Sequence, residues 1–64
     1  MTLPRYRGYT GTAEWSEEDQ VFFGKLLGTE DLISYEAATH FDLENEFRVA
    51  VDEYIFLREG LDLS

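Results

Sequence analysis

The apolar residues of this chain change their period at Thr39, and that change decides the fold class. Upstream they alternate. Tyr9, Gly11, Ala13 and Trp15 interleave with Thr10, Thr12, Glu14 and Ser16, the period of two that marks a half-buried strand. Val21-Phe22-Phe23-Gly24-Lys25-Leu26-Leu27 is a β-branched and aromatic run and reads as a second strand. Leu32-Ile33-Ser34-Tyr35-Glu36 is a short third one. Residues 17–20 and 28–31 connect them, and links that short require antiparallel pairing as a meander. Downstream of Thr39, Leu43, Phe47, Ala50, Val51 and Tyr54, with Leu57 after them, recur at helical spacing. Thr39 and Asp42 stand as N-cap and N3, a weaker form of the capping box. Gly60, after Arg58 and Glu59, reads as the stop of a helix over residues 40–58. The tail 61–64 alternates but is too short to assign.

The expected architecture is therefore α+β: a three-stranded antiparallel β-meander followed by one long α-helix packed on one face, β-β-β-α, in a single domain over residues 1–64. Pro4 is the only proline, and residues 1–5 read as a flexible lead-in. Gly11 interrupts the first strand and marks either a bulge or a close backbone approach.

One helix covers one sheet face. In the second strand Phe22 and Leu26 point one way while Val21, Phe23 and Leu27 point the other. The second face is then solvated, or covered by another protein or a second copy of the chain. A chain of 64 residues rarely supplies a sufficient core alone. With no cysteine, neither a disulfide nor a thiolate metal site reinforces it. On the helix, Phe41, Val49 and Phe56 fall opposite the core stripe at 100° per residue, with Asn45, Asp52 and Glu59 beside them. A docking strip and isolated exposed hydrophobes fit this pattern equally.

Fourteen Asp and Glu against five Lys and Arg give a net charge of −9. Such a chain does not bind nucleic acid by neutralising phosphates, and anionic membrane surfaces repel it. Disorder is not implied, because 44% of the residues are hydrophobic and 16% aromatic. The balance favours a basic protein partner. No run approaches the roughly 20 apolar residues of a membrane helix, and the N-terminus lacks the apolar stretch of a secretory signal. The expectation is a soluble cytoplasmic protein.

Candidate chemistry is sparse. His40 with Asp42 has the composition of a base and its orienting carboxylate, but both fall in the first helical turn, where Asp suits the macrodipole and His is a tolerated surface residue. Glu17, Glu18 and Asp19 offer hard oxygen ligands without the spacing or glycine of a calcium loop. Gly8-Tyr9-Thr10-Gly11 lacks the Lys-Ser/Thr pair of a phosphate loop. The expectation is a non-enzyme with no catalytic residues, cofactor or metal. The candidate partner-binding residues are Glu17, Glu18 and Asp19 in the first turn and Glu30 and Asp31 in the second. On the helix they are Phe41, Val49, Asp52 and Phe56.

The order of residues carries a further signal. Tyr6-Arg7-Gly8-Tyr9-Thr10-Gly11-Thr12-Ala13-Glu14-Trp15-Ser16, then Gly24-Lys25-Leu26-Leu27-Gly28, then Ile33-Ser34-Tyr35-Glu36, then a Thr39-capped helix with Ala50-Val51-Asp52-Glu53-Tyr54, resembles the HicB-family antitoxins over about residues 6–58. The resemblance implies a fold related to double-stranded-RNA-binding domains or a reduced ribonuclease-H-like sheet. It implies binding to a small basic HicA-like toxin that cleaves mRNA, and blocking of its activity. Longer members add a C-terminal DNA-binding domain that represses their operon, and the sequence to Ser64 holds no such domain. The expected role is toxin binding without repression. The alternative is an anti-CRISPR protein, or another nucleic-acid mimic, that uses the same scaffold to block a CRISPR effector subunit.

Overall fold

The structure, a computed structural model, describes the backbone of residues 1–63 and the side chains of residues 1–59. The strands are β1 (Thr10–Gly11), β2 (Glu14–Ser16), β3 (Val21–Leu27) and β4 (Ser34–Ala37), followed by one helix, α1 (His40–Leu63). All pairing is antiparallel, and β3 is the centre of the sheet. On one side β3 pairs with β1 (Thr10↔Leu27, Gly11↔Leu26) and β2 (Glu14↔Phe23, Trp15↔Phe22, Ser16↔Val21). On the other it pairs with β4, from Phe22↔Ala37 to Lys25↔Ser34.

The sheet thus has four strands where the alternation predicts three, because the first predicted strand is divided at Thr12 and Ala13. The register is the same on both sides of the break, so Gly11 does not mark a bulge. The interruption is a change of hydrogen-bond partner. Thr12 N still donates to Lys25 O (3.0 Å), but Lys25 N donates to the Thr12 hydroxyl (3.0 Å) instead of the Thr12 carbonyl. That carbonyl accepts from the Tyr35 hydroxyl at 2.9 Å. The Tyr35 side chain reaches across β3 to the far edge strand, over Gly24 and Gly11. A Cβ on Gly24 would overlap the Thr12 carbonyl oxygen, and one on Gly11 would overlap the Tyr35 hydroxyl. Close approach is therefore the reason for both glycines.

Thr39 caps the helix as its spacing predicts: Asp42 N donates to Thr39 Oγ1 (3.1 Å) and Leu43 N to Thr39 O (2.9 Å). The predicted stripe faces the sheet, with Leu43, Phe47, Val51 and Tyr54 buried against Ala13, Leu26 and Tyr35. The helical end differs from the expectation. Gly60 does not stop the helix, which runs to Leu63. A mid-helix glycine costs only about 1 kcal/mol, and no proline follows it. Twenty-four helical residues span about 36 Å against about 23 Å for the seven of β3. The helix therefore outruns the sheet, and Leu57 is exposed rather than part of the core.

The lead-in is also corrected. Residues 1–5 are not a loose segment: Leu3 is 3% exposed and belongs to the core. Leu3 N donates to Gly11 O and Ala13 N to Met1 O, both at 2.8 Å, so the segment lies antiparallel along residues 11–13. Tyr6 and Tyr9 exchange backbone hydrogen bonds of 2.8 and 2.9 Å across Arg7 (φ 52°) and Gly8 (φ 89°). Positive φ at both central residues is the type I′ hairpin turn. Pro4, which has no N–H, sits where a missing donor costs little and blunts the edge.

Burial pushes the Tyr35 hydroxyl up to about 12. Because its folded pKa lies above the ordinary value near 10, the neutral phenol stabilises the fold fully below pH 10. That stabilisation is lost as pH rises from 10 toward 12. Tyr35→Phe is expected to lose about 1–2 kcal/mol at pH 7, since the Thr12 carbonyl loses its partner. It should also flatten the fall in stability between pH 10 and 12. Urea titrations at pH 7 and thermal melts across the alkaline range measure both effects.

Candidate functional site

The two acidic turns lie at opposite ends of β3. In the first, Asp19 N donates to Ser16 Oγ (3.2 Å), Gln20 N to Ser16 O (2.8 Å) and Gln20 Nε2 to Glu17 O (2.9 Å). In the second, Thr29 Oγ1 donates to Asp31 O (2.7 Å) and Gly28 supplies a positive φ of 82°. The turns are thus built largely from backbone oxygens and hydroxyls. The carboxylates of Glu17, Glu18, Asp19, Glu30 and Asp31 stay exposed. Separated by the length of β3, about 23 Å, the two groups do not form one patch.

Phe41, Val49 and Phe56 are exposed on the outer face of α1, at 73%, 48% and 72%. At 1.5 Å per residue they stand about 10–12 Å apart along the axis, a spaced row rather than a continuous patch. Asp52, beside this row, carries contacts of its own within the chain. It is half-buried and held from within: Arg7 Nη1 donates to its Oδ1 at 2.8 Å, and the Tyr6 hydroxyl lies 3.0 and 3.2 Å from its two oxygens. The Arg7 guanidinium holds its carboxyl below the usual carboxylate range. Asp52 pins the N-terminal hairpin to the helix. The same latch steadies Arg7 in a backbone conformation that favours glycine.

Two of the remaining cations are also engaged. Arg48 pairs with Glu44 (3.1 Å). Arg58 donates to the Tyr54 hydroxyl (2.8 Å), with its guanidinium 5.4 Å from the Tyr54 ring centre. Among the described residues, ion pairs involve only Asp52 and Glu44 of the acidic side chains.

The helix leaves the opposite sheet face uncovered. There the register sets Glu14, Phe23 and Glu36 side by side across β2, β3 and β4, all three exposed. On the helix-facing side Trp15 packs edge-on to Phe22 (4.8 Å between ring centres), and Phe22 edge-on to His40 (5.7 Å). His40 is half-buried, and its Nε2 has no partner among the described residues. It is a packing residue of the helix start rather than a plain surface one. Among the described residues no three His, Asp or Glu side chains converge as a metal site, and no helix is long and apolar enough to cross a membrane.

The chain matches no known protein family, and no curated protein or solved structure is significantly similar to it.

The row on the open face is absent from the sequence-based candidates. Its signal was the outward phase of Phe23 in β3. Locating its neighbours requires the register as well, and the short turns bring Glu14 and Glu36 beside it only once both hairpins are drawn.

Proposed function

We propose that this protein is a non-enzymatic acidic inhibitor that binds and blocks a basic, nucleic-acid-handling protein, with a HicA-like mRNA-cleaving toxin as the leading partner. The observation that supports this reading is the disposition of charge. A surplus of nine negative charges is set on a small α+β scaffold, and among the described residues internal ion pairs involve few of the carboxylates. Such a surface speeds encounter with a basic groove and selects among partners. A protein seated in that groove excludes RNA or DNA from it. The HicB-like order of residues names the toxin class.

The test is cleavage of an RNA substrate by a purified HicA-like toxin, where full protection is expected at stoichiometric protein. Undiminished cleavage overturns the antitoxin form. If the same protein instead suppresses target-DNA binding by a CRISPR effector complex, the partner is that complex. Charge reversal separates the two turns, which lie farther apart than the ~8–10 Å Debye length. Glu17→Lys with Glu18→Lys, or Glu30→Lys with Asp31→Lys, is expected to slow association about tenfold at low salt for whichever turn faces the partner. The other pair should have little effect. Phe41→Ala and Phe56→Ala should keep the fold and weaken binding if the helix row is the anchor. Stopped-flow association at two salt concentrations reads all four.

A further inference from the structure

A phenylalanine at the centre of an outward sheet face ordinarily has apolar cross-strand neighbours that share its burial. Phe23 has none. It is 39% exposed, and the residues directly opposite it are Glu14 on β2 and Glu36 on β4. Charged side chains cannot cover an aromatic ring without leaving water themselves. Neither glutamate forms an ion pair among the described residues, although Lys25 lies on the next row of the same face. Shallow depressions flank the ring, one toward Asp19 and Val21, the other toward Lys25 and Leu32.

We propose that this face receives an arginine side chain of the basic partner, its guanidinium stacked on Phe23 between Glu14 and Glu36. The proposal rests on the reading of the protein as a binder of a basic protein and names the surface that reading leaves open. Two inter-strand spacings put the backbone positions of Glu14 and Glu36 about 10 Å apart, room for one planar cation over the ring between their side chains. Guanidinium suits the position for two reasons. It stacks on an aromatic face, and its N–H fork projects in the same plane toward carboxylates on either side. A lysine ammonium does the second without the first. A second copy of this chain fits poorly, since apposed faces set glutamate rows against each other in molecules already carrying −9.

The experiment is an amide and aromatic NMR titration of the intact protein with an arginine nonapeptide, and with a lysine nonapeptide for comparison, at about 50 mM salt. The largest shifts are expected at Glu14, Phe23 and Glu36, with arginine binding about 3-fold tighter than lysine. Phe23→Leu keeps an apolar side chain but removes the ring, and should erase that preference. Glu14→Gln with Glu36→Gln keeps shape and should weaken the arginine peptide about tenfold. Shifts centred on the turns or the helix, or equal affinity for both peptides, overturn the assignment while leaving a basic partner in place. No binding of either peptide overturns the assignment and counts against the basic-partner reading as well. Concentration-dependent shifts at Phe23 without any peptide would mean that a second copy covers the face, and would also overturn it.

Discussion

Phe47→Ala is expected to leave the protein largely unfolded at 25 °C. The side chain is 1% exposed, and its position explains why no other core residue substitutes for it. Its ring lies edge-on to Tyr6 of the N-terminal hairpin (6.5 Å between centres) and tilted against Tyr35 of β4 (5.8 Å). Its edge closes over Gly11, within 2.9 Å of where a Cβ would stand. Helix, sheet and hairpin meet on this one ring. Truncating a buried Phe costs about 3–5 kcal/mol, through lost transfer energy and the cavity left behind. At roughly 0.05–0.15 kcal/mol per residue, a 64-residue domain has a total stability of the same order. The loss should appear as a collapsed or missing cooperative melt by circular dichroism. Phe41→Ala, on the exposed face, should melt within a few degrees of the parent. A parent-like melt for Phe47→Ala would reverse the assignment of the helix faces.

The contrast between those residues was legible in the sequence because it depends only on local periodicity. The 3.6-residue phase that puts Leu43, Phe47, Val51 and Tyr54 inside puts Phe41, Val49 and Phe56 outside, and the burials agree. The β-branched and aromatic run Val21–Leu27 marks β3 at its observed bounds, and the Thr39 cap is a short-range signal of the same kind. What escaped depends on contacts distant in sequence. Pro4 suggested a loose segment, yet Leu3 is buried because Arg7 and Gly8 turn the chain back. Arg-Gly is a weak hairpin signal beside Asn-Gly or Asp-Gly. That hairpin then captures Asp52, 45 positions from Arg7, a tie that helical phase alone does not reveal. The division of the first strand has the same origin. It reflects the reach of Tyr35 to Thr12, 23 positions away. The row of Glu14, Phe23 and Glu36 lies between these cases, with its face set by alternation and its membership by register.

Gly24→Ala is expected to be the most damaging of the glycine-to-alanine changes among the described residues, and the reason is backbone against backbone. Gly24 sits mid-strand in β3, where a glycine ordinarily weakens the sheet and alanine would be an improvement. Here the added Cβ would overlap the Thr12 carbonyl oxygen and approach the Tyr35 ring to 2.9 Å. The Thr12 carbonyl cannot retreat independently, because it accepts the Tyr35 hydroxyl and belongs to the residue whose own hydroxyl holds Lys25 N. Relief therefore requires the edge strand to leave β3, taking the Leu3 pairing with it. Overpacking costs about 1–3 kcal/mol where side chains can yield, and at least the upper end is expected where the obstacle is a carbonyl. Urea denaturation measures the loss. Two companion variants identify its cause. Gly28→Ala, at φ 82° with open space around it, should cost about 1 kcal/mol from conformation alone. Gly11→Ala meets the Tyr35 hydroxyl and the Phe47 ring, so adding Tyr35→Phe should recover part of its loss. The same second change should recover little in Gly24→Ala, because the Thr12 carbonyl is still there. Equal rescue of both would mean that Tyr35, rather than the edge-strand backbone, is what makes position 24 a glycine.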